Sequence, residues 1–427
     1  MKIVKQLEDQ RADECVQVAE AANGMTIALS QKPGFSTSAA YIGLRFGSTD
    51  TCFETSDGKP VQVPDGSAHF LEHKLFEGRE EKVFDRFGKL GANFNGGTGF
   101  RSTSYYFVTS DRFEEGLEVL LDFVQDPLIT EERVEKEKGI IEQEVRMYQD
   151  EPSYRGLFLL HHALYHQHPI RVTPGGAVSE VQRTTAIDLQ ACYDAFYRPQ
   201  NMVLSLAGDF DLEQTMQKVD SLMLPANPGA AKKIYPLEEG QPAADWLEEE
   251  FNVSRPHVWI GWRDAQGVGL GPALLERWLL SSLAIDLVLD HSSTYHEDLY
   301  QRKIVDDSLS AHFSCDSDWG YACVQGVSDK PQEFVSGVRE AIARFCLDGP
   351  SVEDFERVRS ASWGSVISGI QTPAALAGSV LNSLLQEYSP FGILDALQNV
   401  TLEQVAERGR QLFDPAQSSV AIIKPQS

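Results

Sequence analysis

With 427 residues, 42% of them hydrophobic, 23% charged and 10% aromatic, the chain has the make-up of a folded protein with a large core, and a single small module is excluded. No window approaches the ~18 uninterrupted apolar residues that a membrane-spanning helix needs. The 37 Lys+Arg against 63 Asp+Glu give a formal net charge of −26, a field that repels phosphate backbones and anionic lipid surfaces, so neither nucleic acid nor membrane is expected as a partner.

The opening MKIVKQLEDQRADECVQVAEAANG lacks an apolar run before a small-residue cleavage site, so a cytoplasmic location is expected. Cys15, Cys52, Cys192, Cys315, Cys323 and Cys346 are scattered without a CxxC, which fits reduced, packed thiols better than a zinc knuckle or a disulfide framework. The runs AAYIGLRFG (39–47), SYYFVTS (104–110) and MVLSLAGD (202–209) read as strands stopped by Gly or polar residues. In DRFEEGLEVLLDFVQDP, residues Phe113, Leu117, Leu120, Leu121 and Val124 fall at helical spacing after a Ser110 or Asp111 cap, and Pro127 ends the helix.

LPANPGAAKKIYPLEEGQPAADW (224–246) concentrates Pro, Gly, Ala and charge without apolar periodicity and reads as a linker. An internal echo supports two halves: TEERVEKEK (130–138) returns as SVEDFERVR (351–359), and TTAIDLQACYDAFYRPQNMVLSL (184–206) as VTLEQVAERGRQLFDPAQSSVAI (400–422). The expected class is α+β, with two homologous domains (1–223 and 247–427), each an antiparallel-rich sheet covered by helices.

The sharpest motif is PDGSAHFLEHKLFEG (64–78), a helix opened near Ser67 and closed by Gly78. His69 and His73 lie one turn apart on one face with Glu72 beside them, the H-x-x-E-H order of two imidazole ligands and an adjacent carboxylate. A helix carrying two solvated or core histidines and a surface Glu has the same pattern. Catalytic zinc takes a third protein ligand and keeps a fourth position open. VEKEKGIIEQEVRMYQDEPSYR offers that ligand, because Glu137, Ile140, Ile141, Glu144 and Tyr148 follow helical spacing and put two carboxylates in an apolar stripe. His291 and His296 have the wrong spacing for one helix face and read as polar surface. GGTG (96–99) is not a phosphate loop, since no GxxxxGK[ST] occurs.

HFLEH, GANFNGGTGFRSTSYYF, EKEKGIIEQEVRMYQDEP and FYRPQNMVLSLAGDFD, in this order and spacing, resemble the pitrilysin/insulinase family of inverted-motif zinc peptidases. In size the chain is similar to the half-length branch that includes the mitochondrial processing peptidase. The resemblance implies half of a clamshell around a Zn2+ cofactor, with His69, His73 and Glu144 as metal ligands, Glu72 as catalytic base and Glu137 as the supporting acidic residue. It also implies that an edge strand around Asn95, Gly96 and Gly97 takes the substrate backbone, with a Gly at 96 that is expected to loosen it. In the second half Val358 and Ser365 align with Glu137 and Glu144, so 247–427 is expected to be non-catalytic.

One departure bears on assembly. Relatives carry an Arg and a Tyr in the C-terminal half, where this chain has Tyr300 and Asp307, with Arg302 out of register. The implied function is a zinc metalloendopeptidase acting on peptides or unfolded segments and completed by a second family half-subunit, a heterodimer in preference to a homodimer. The alternative is a non-catalytic scaffold or peptide-binding subunit.

Overall fold

The short β-branched and aromatic runs become strands in the computed structural model, which describes residues 1–225, 231–238, 240–264 and 267–426. Residues 226–230 and Glu239 of the expected linker therefore lie outside the described residues. The chain divides into two units: Met1–Val145 with Val172–Tyr235 and Ile367–Pro390, and Arg146–Arg171 with Pro236–Val366 and Phe391–Ser427.

Strands of the first unit are β1 (Lys2–Asp9), β2 (Glu14–Glu20), β3 (Thr26–Gln31), β4 (Ser38–Leu44), β5 (Cys52–Glu54), β6 (Pro60–Gln62), β7 (Asn93–Thr98), β8 (Thr103–Thr109), β9 (Met202–Gly208) and β10 (Lys232–Lys233). The main sheet runs β1-β2-β3-β9-β4-β8-β7, and β10-β5-β6 forms a small one. Only β3 and β9 pair in parallel within the main sheet. Strand β9 lies near its middle and is buried along its whole length, which is why its sequence is apolar and small without alternation.

The second unit contains β11 (Trp246–Phe251), β12 (His257–Arg263), β13 (Ser310–Cys315), β14 (Gly320–Val327) and β15 (Ser418–Pro425), ordered β11-β15-β12-β14-β13. This order, with one parallel pair between β11 and β15, repeats β3-β9-β4-β8-β7. The echoed sequences have the same local structure. The helices Ala186–Phe196 and Leu402–Leu412 each start on a threonine capping box, Thr185 and Thr401, and each leads through a 3₁₀ turn into the buried strand of its unit. The fold is mixed α and β with two homologous, antiparallel-rich sheets covered by helices.

The first five helices are α1 (Ser67–Phe76), α2 (Val83–Leu90), α3 (Phe113–Gln125), α4 (Glu131–Gln149) and α5 (Pro152–Leu164). Helix α3 buries Leu117, Leu120, Leu121 and Val124 as its periodicity predicts. Its N-cap is Arg112 in the left-handed region (φ 55°), not Ser110 or Asp111, and the Asp111 carboxylate instead accepts from the Arg112 amide. Each sheet also packs a helix encoded in the other half of the sequence. The helix Pro373–Leu385 covers β4 and β9 of the first unit, and α5 covers β12 and β15 of the second.

Matching glycines permit both approaches. A Cβ on Gly43 would lie 3.1 Å from Leu381 and Leu385, and one on Gly261 would lie 2.9 Å from Leu164 and 3.0 Å from Leu160. Gly261→Val is therefore expected to overpack the second unit and cost about 1–3 kcal/mol, read as a lower midpoint of urea unfolding by tryptophan fluorescence. An unchanged midpoint would contradict this packing.

All six cysteines are free, with Cys192 and Cys323 buried. Among the described residues no helix is long and apolar enough to cross a membrane.

Candidate metal centre

Helix α1 buries Ala68, Phe70, Leu71, Leu75 and Phe76 in the first unit's core and leaves His69 and His73 partly exposed. Its N-cap is Gly66 rather than Ser67, with φ 87° and a Cβ position only 2.4 Å from the Gly175 carbonyl oxygen, so only glycine fits there. Ser67 is the first helical residue, and its hydroxyl donates to the Pro64 carbonyl.

Helix α4 corrects the expected apolar stripe. Val134, Lys138, Ile141 and Val145 are its buried residues, whereas Ile140 and Tyr148 are 56% and 41% exposed. Lys138 lies among the apolar residues because its stem packs there while its ammonium reaches the Gln182 carbonyl and the Glu135 carboxylate. Glu137 and Glu144 stand at the margin of this stripe, next to α1.

The two helices bring the expected residues together. The rings of His69 and His73 are 4.7 Å apart, edge to face. His69 Nε2 lies 3.5 Å from Glu144 Oε1, and His73 Nε2 lies 3.2 Å from Glu144 Oε2. Two donors on one tetrahedral zinc at ~2.0–2.1 Å are separated by roughly 3.3–3.4 Å, so this spacing fits a shared ion. Among the described residues, His69, Glu72 and His73 also form the group of potential ligand atoms that lie within 4.8 Å of one another. Both Nε2 atoms thus face the Glu144 carboxylate. His69 Nδ1 is buried without a hydrogen-bond partner among the described residues.

His73 Nδ1 lies 3.3 Å from Glu137 Oε1, a contact that orients the ring and leaves Nε2 toward Glu144. Sequence reasoning missed what holds Glu137. Lys74, 1% exposed, donates to the Arg133 carbonyl at 2.8 Å and to Glu77, and its ammonium lies 3.6 Å from Glu137 Oε2. Its only signal was its place in HKLFEG, where it looks like a surface lysine.

Glu72 is 7% exposed, and burial pushes its carboxyl above the usual range, opposed by the two histidines. The Thr98 hydroxyl donates to Glu72 Oε2 at 3.4 Å and so ties it to β7. The backbone of β7 comes close to Glu72: a Cβ on Gly96 would lie 2.7 Å from the Phe76 ring and 3.0 Å from Glu72 Oε1. Gly96 thus permits a tight approach of the strand to Glu72 and Phe76. Its amide donates to the Asn95 side chain at 2.9 Å, while Asn95 and Gly97 are exposed on the other face. Strand β7 is the edge of the main sheet.

Burial favours the neutral His73 ring, but hydrogen bonds to Glu137 and Glu144 outweigh it and hold its pKa up to about 10. This stabilises the metal-free fold fully below pH 6.5, the ring's ordinary value, and is lost as pH rises through about 10. A metal needs the neutral ring, so zinc uptake at pH 7.5 is expected to release about one proton from this site. Calorimetry in buffers of different ionisation enthalpy measures it, and release near zero would contradict the assignment.

Of the other histidine pair only His291 is polar surface. His296 is 4% exposed and stacks edge to face on exposed His291 at 4.7 Å, with no third ligand group beside them among the described residues. Arg302 caps a surface helix and pairs with Asp298 and Glu340 at 3.0 and 3.2 Å.

Residues 60–173 match the family described as insulinase (peptidase family M16), and residues 183–362 match the peptidase M16 inactive domain. The uncharacterized zinc protease YmfH of Bacillus subtilis (strain 168) is 31% identical over 100% of both chains. The crystal structure of an M16-like peptidase from Alicyclobacillus acidocaldarius shares 32% identity with a TM-score of 0.94, covering 98% of this chain and 100% of that one. The periplasmic protease PqqL of Escherichia coli shares the fold at 17% identity and a TM-score of 0.73, with all of this chain matching 48% of that one. With an H-x-x-E-H helix inside the first matched segment and full-length similarity to such proteins, the chain belongs to the insulinase family, peptidase family M16.

Proposed function

We propose that this chain is a zinc-dependent endopeptidase that hydrolyses peptides or unfolded segments bound as an added strand along β7. The observation that carries the reading is the convergence of His69, His73 and Glu144 on one point, with buried Glu72 beside it and the edge strand alongside.

His69, His73 and Glu144 would hold the metal. When bound, zinc supplies Lewis acidity that lowers the pKa of a water toward ~7 and polarises a carbonyl. Glu72 takes the proton of the attacking water and delivers it to the leaving amine, and its raised carboxyl pKa suits both transfers. Glu137 fixes the His73 ring through Nδ1, and Lys74 holds Glu137. The open edge of β7 around Asn95, Gly96 and Gly97 binds the substrate backbone with little side-chain preference. Val358 and Ser365, aligned with Glu137 and Glu144, leave the second half without this chemistry.

The active assembly pairs this chain with a second half of the same family, in keeping with PqqL, a chain about twice as long. Tyr300 and Asp307 replace the Arg and Tyr of relatives, and Arg302 is held in surface ion pairs, so the partner supplies the missing pair. The isolated zinc-loaded chain is therefore expected to cleave a mixture of unstructured peptides well below ~1 s⁻¹, the range where most enzymes begin, with a chelator removing what activity there is. Adding a half that carries the Arg and Tyr raises the rate. Turnover of about 1 s⁻¹ or more by the chain alone would overturn the heteromer, and no turnover in any assembly would favour a peptide-binding scaffold.

A further inference from the structure

We infer that Asp50 and Tyr235 are positioning residues that lock the β7–β8 turn, and with it edge strand β7, at a set distance from Glu72. The inference rests on the proposed role of β7 in binding substrate.

Asp50 follows β4 in a loop and its side chain is fully buried. A buried carboxylate is costly unless donors surround it, and four do. The Gly47 amide donates at 2.9 Å, Lys233 Nζ at 2.8 Å, Arg101 Nη1 at 3.5 Å, and the Tyr235 hydroxyl completes the set. Two of these donors come from the last residues of the Val172–Tyr235 stretch of the first unit, and one comes from the turn between β7 and β8. The Arg101 guanidinium also lies 3.8 Å above the Tyr235 ring, so the two are joined by a cation–π contact as well as by a shared acceptor.

Both sides of this junction are held by backbone. The turn is pinned by the Ser48 amide on the Gly99 carbonyl at 2.9 Å and by the Thr49 amide and hydroxyl on the Phe100 carbonyl at 3.1 and 2.6 Å. Gly47 allows this, because a Cβ there would lie 2.4 Å from the backbone of Phe100 and Arg101. On the other side Lys232 and Lys233 pair with Glu54 and Phe53 as β10, and the Ile234 amide donates to the Cys52 carbonyl at 2.9 Å.

Thr98, which donates to Glu72, is three residues before Arg101. β7 has a strand neighbour on one side only, so besides its packing on α1 and α2 through Phe94 and Gly96 it is held by β8 and by this turn. A displacement of Tyr235 is thereby transmitted through Asp50 and Arg101 to the strand beside Glu72. The segment Lys232–Tyr235 thus acts on the site as well as joining the halves of the chain.

The test compares full-length, zinc-loaded wild type, Tyr235→Phe and Tyr235→Ala. Amide hydrogen exchange is followed over residues 97–102, and KM and kcat are measured on an unstructured peptide in the active assembly. Tyr235→Ala is expected to speed exchange in this stretch and to raise KM about tenfold, with kcat within about twofold and unchanged zinc content. Tyr235→Phe, which keeps the ring under Arg101, falls between the two. Unchanged exchange, or faster exchange with an unchanged KM, overturns the inference. So does a lower melting temperature with KM and kcat worsening together, which marks plain structural damage. If wild type hydrolyses no peptide in any assembly, the proposed activity fails, and exchange over 97–102 alone decides whether the clamp exists.

Discussion

Glu72→Gln is expected to lower peptide hydrolysis by about 10²–10⁴-fold in the active assembly while leaving zinc content and melting temperature at wild-type values. The size follows from removing a general base and nothing else. Glutamine has nearly the same shape, keeps an oxygen to accept the Thr98 hydroxyl 3.4 Å away, and adds no bulk against Gly96. It cannot take a proton from water. In the proposed metal set Glu144 faces both Nε2 atoms, so the set stays complete without the Glu72 charge. Because burial destabilises the charged form of Glu72, its replacement by a neutral amide removes a desolvated anion, and the fold has no reason to weaken. Initial rates with metal analysis of the same sample check this. A variant with near wild-type turnover would remove Glu72 from the mechanism, and loss of zinc would make it a ligand.

What could be read from the sequence was local. H-x-x-E-H carries its geometry in its spacing, since four residues make about one helical turn, and the structure brings both imidazoles to one point. The capping threonines Thr185 and Thr401, and the buried strands β9 and β15 after them, are visible as an echo because a duplicated unit keeps its starts, stops and central strand. The stripe on α4 was misread because an apolar count cannot tell Ile140, which is exposed, from Val134 and Val145, or foresee that Lys138 buries its stem. The packing of Pro373–Leu385 on the first sheet and of α5 on the second was also hidden. An amphipathic helix shows that it has a partner and not which one, and the Gly43 and Gly261 that admit these helices look like any strand glycine. Asp50 gave no signal, since its cationic partners come from positions 101 and 233 and meet only in the fold.

The two carboxylates of α4 are expected to separate by role when each is replaced by its amide. Glu144→Gln is expected to weaken zinc binding by more than ~100-fold, and Glu137→Gln by about 10–100-fold, the range for residues that orient a ligand. Glu144 offers one oxygen to each histidine, at 3.5 and 3.2 Å, so it stands where a third donor must be, and an amide there contributes no charge. Of the two histidines Glu137 meets only His73, at Nδ1 on the far side of the ring from Glu144, so its loss frees the imidazole to turn but leaves the three proposed donors in place. Buried Lys74 sharpens the second case: without the Glu137 charge its ammonium keeps Glu77 and the Arg133 carbonyl, which limits the damage to the helix pair. Competition with a chelator of known affinity ranks the variants against wild type at one pH. If Glu144→Gln holds zinc as tightly as wild type, the third ligand has been misassigned. If Glu137→Gln loses as much affinity as Glu144→Gln, the two carboxylates do not divide the work as their contacts with His69 and His73 imply.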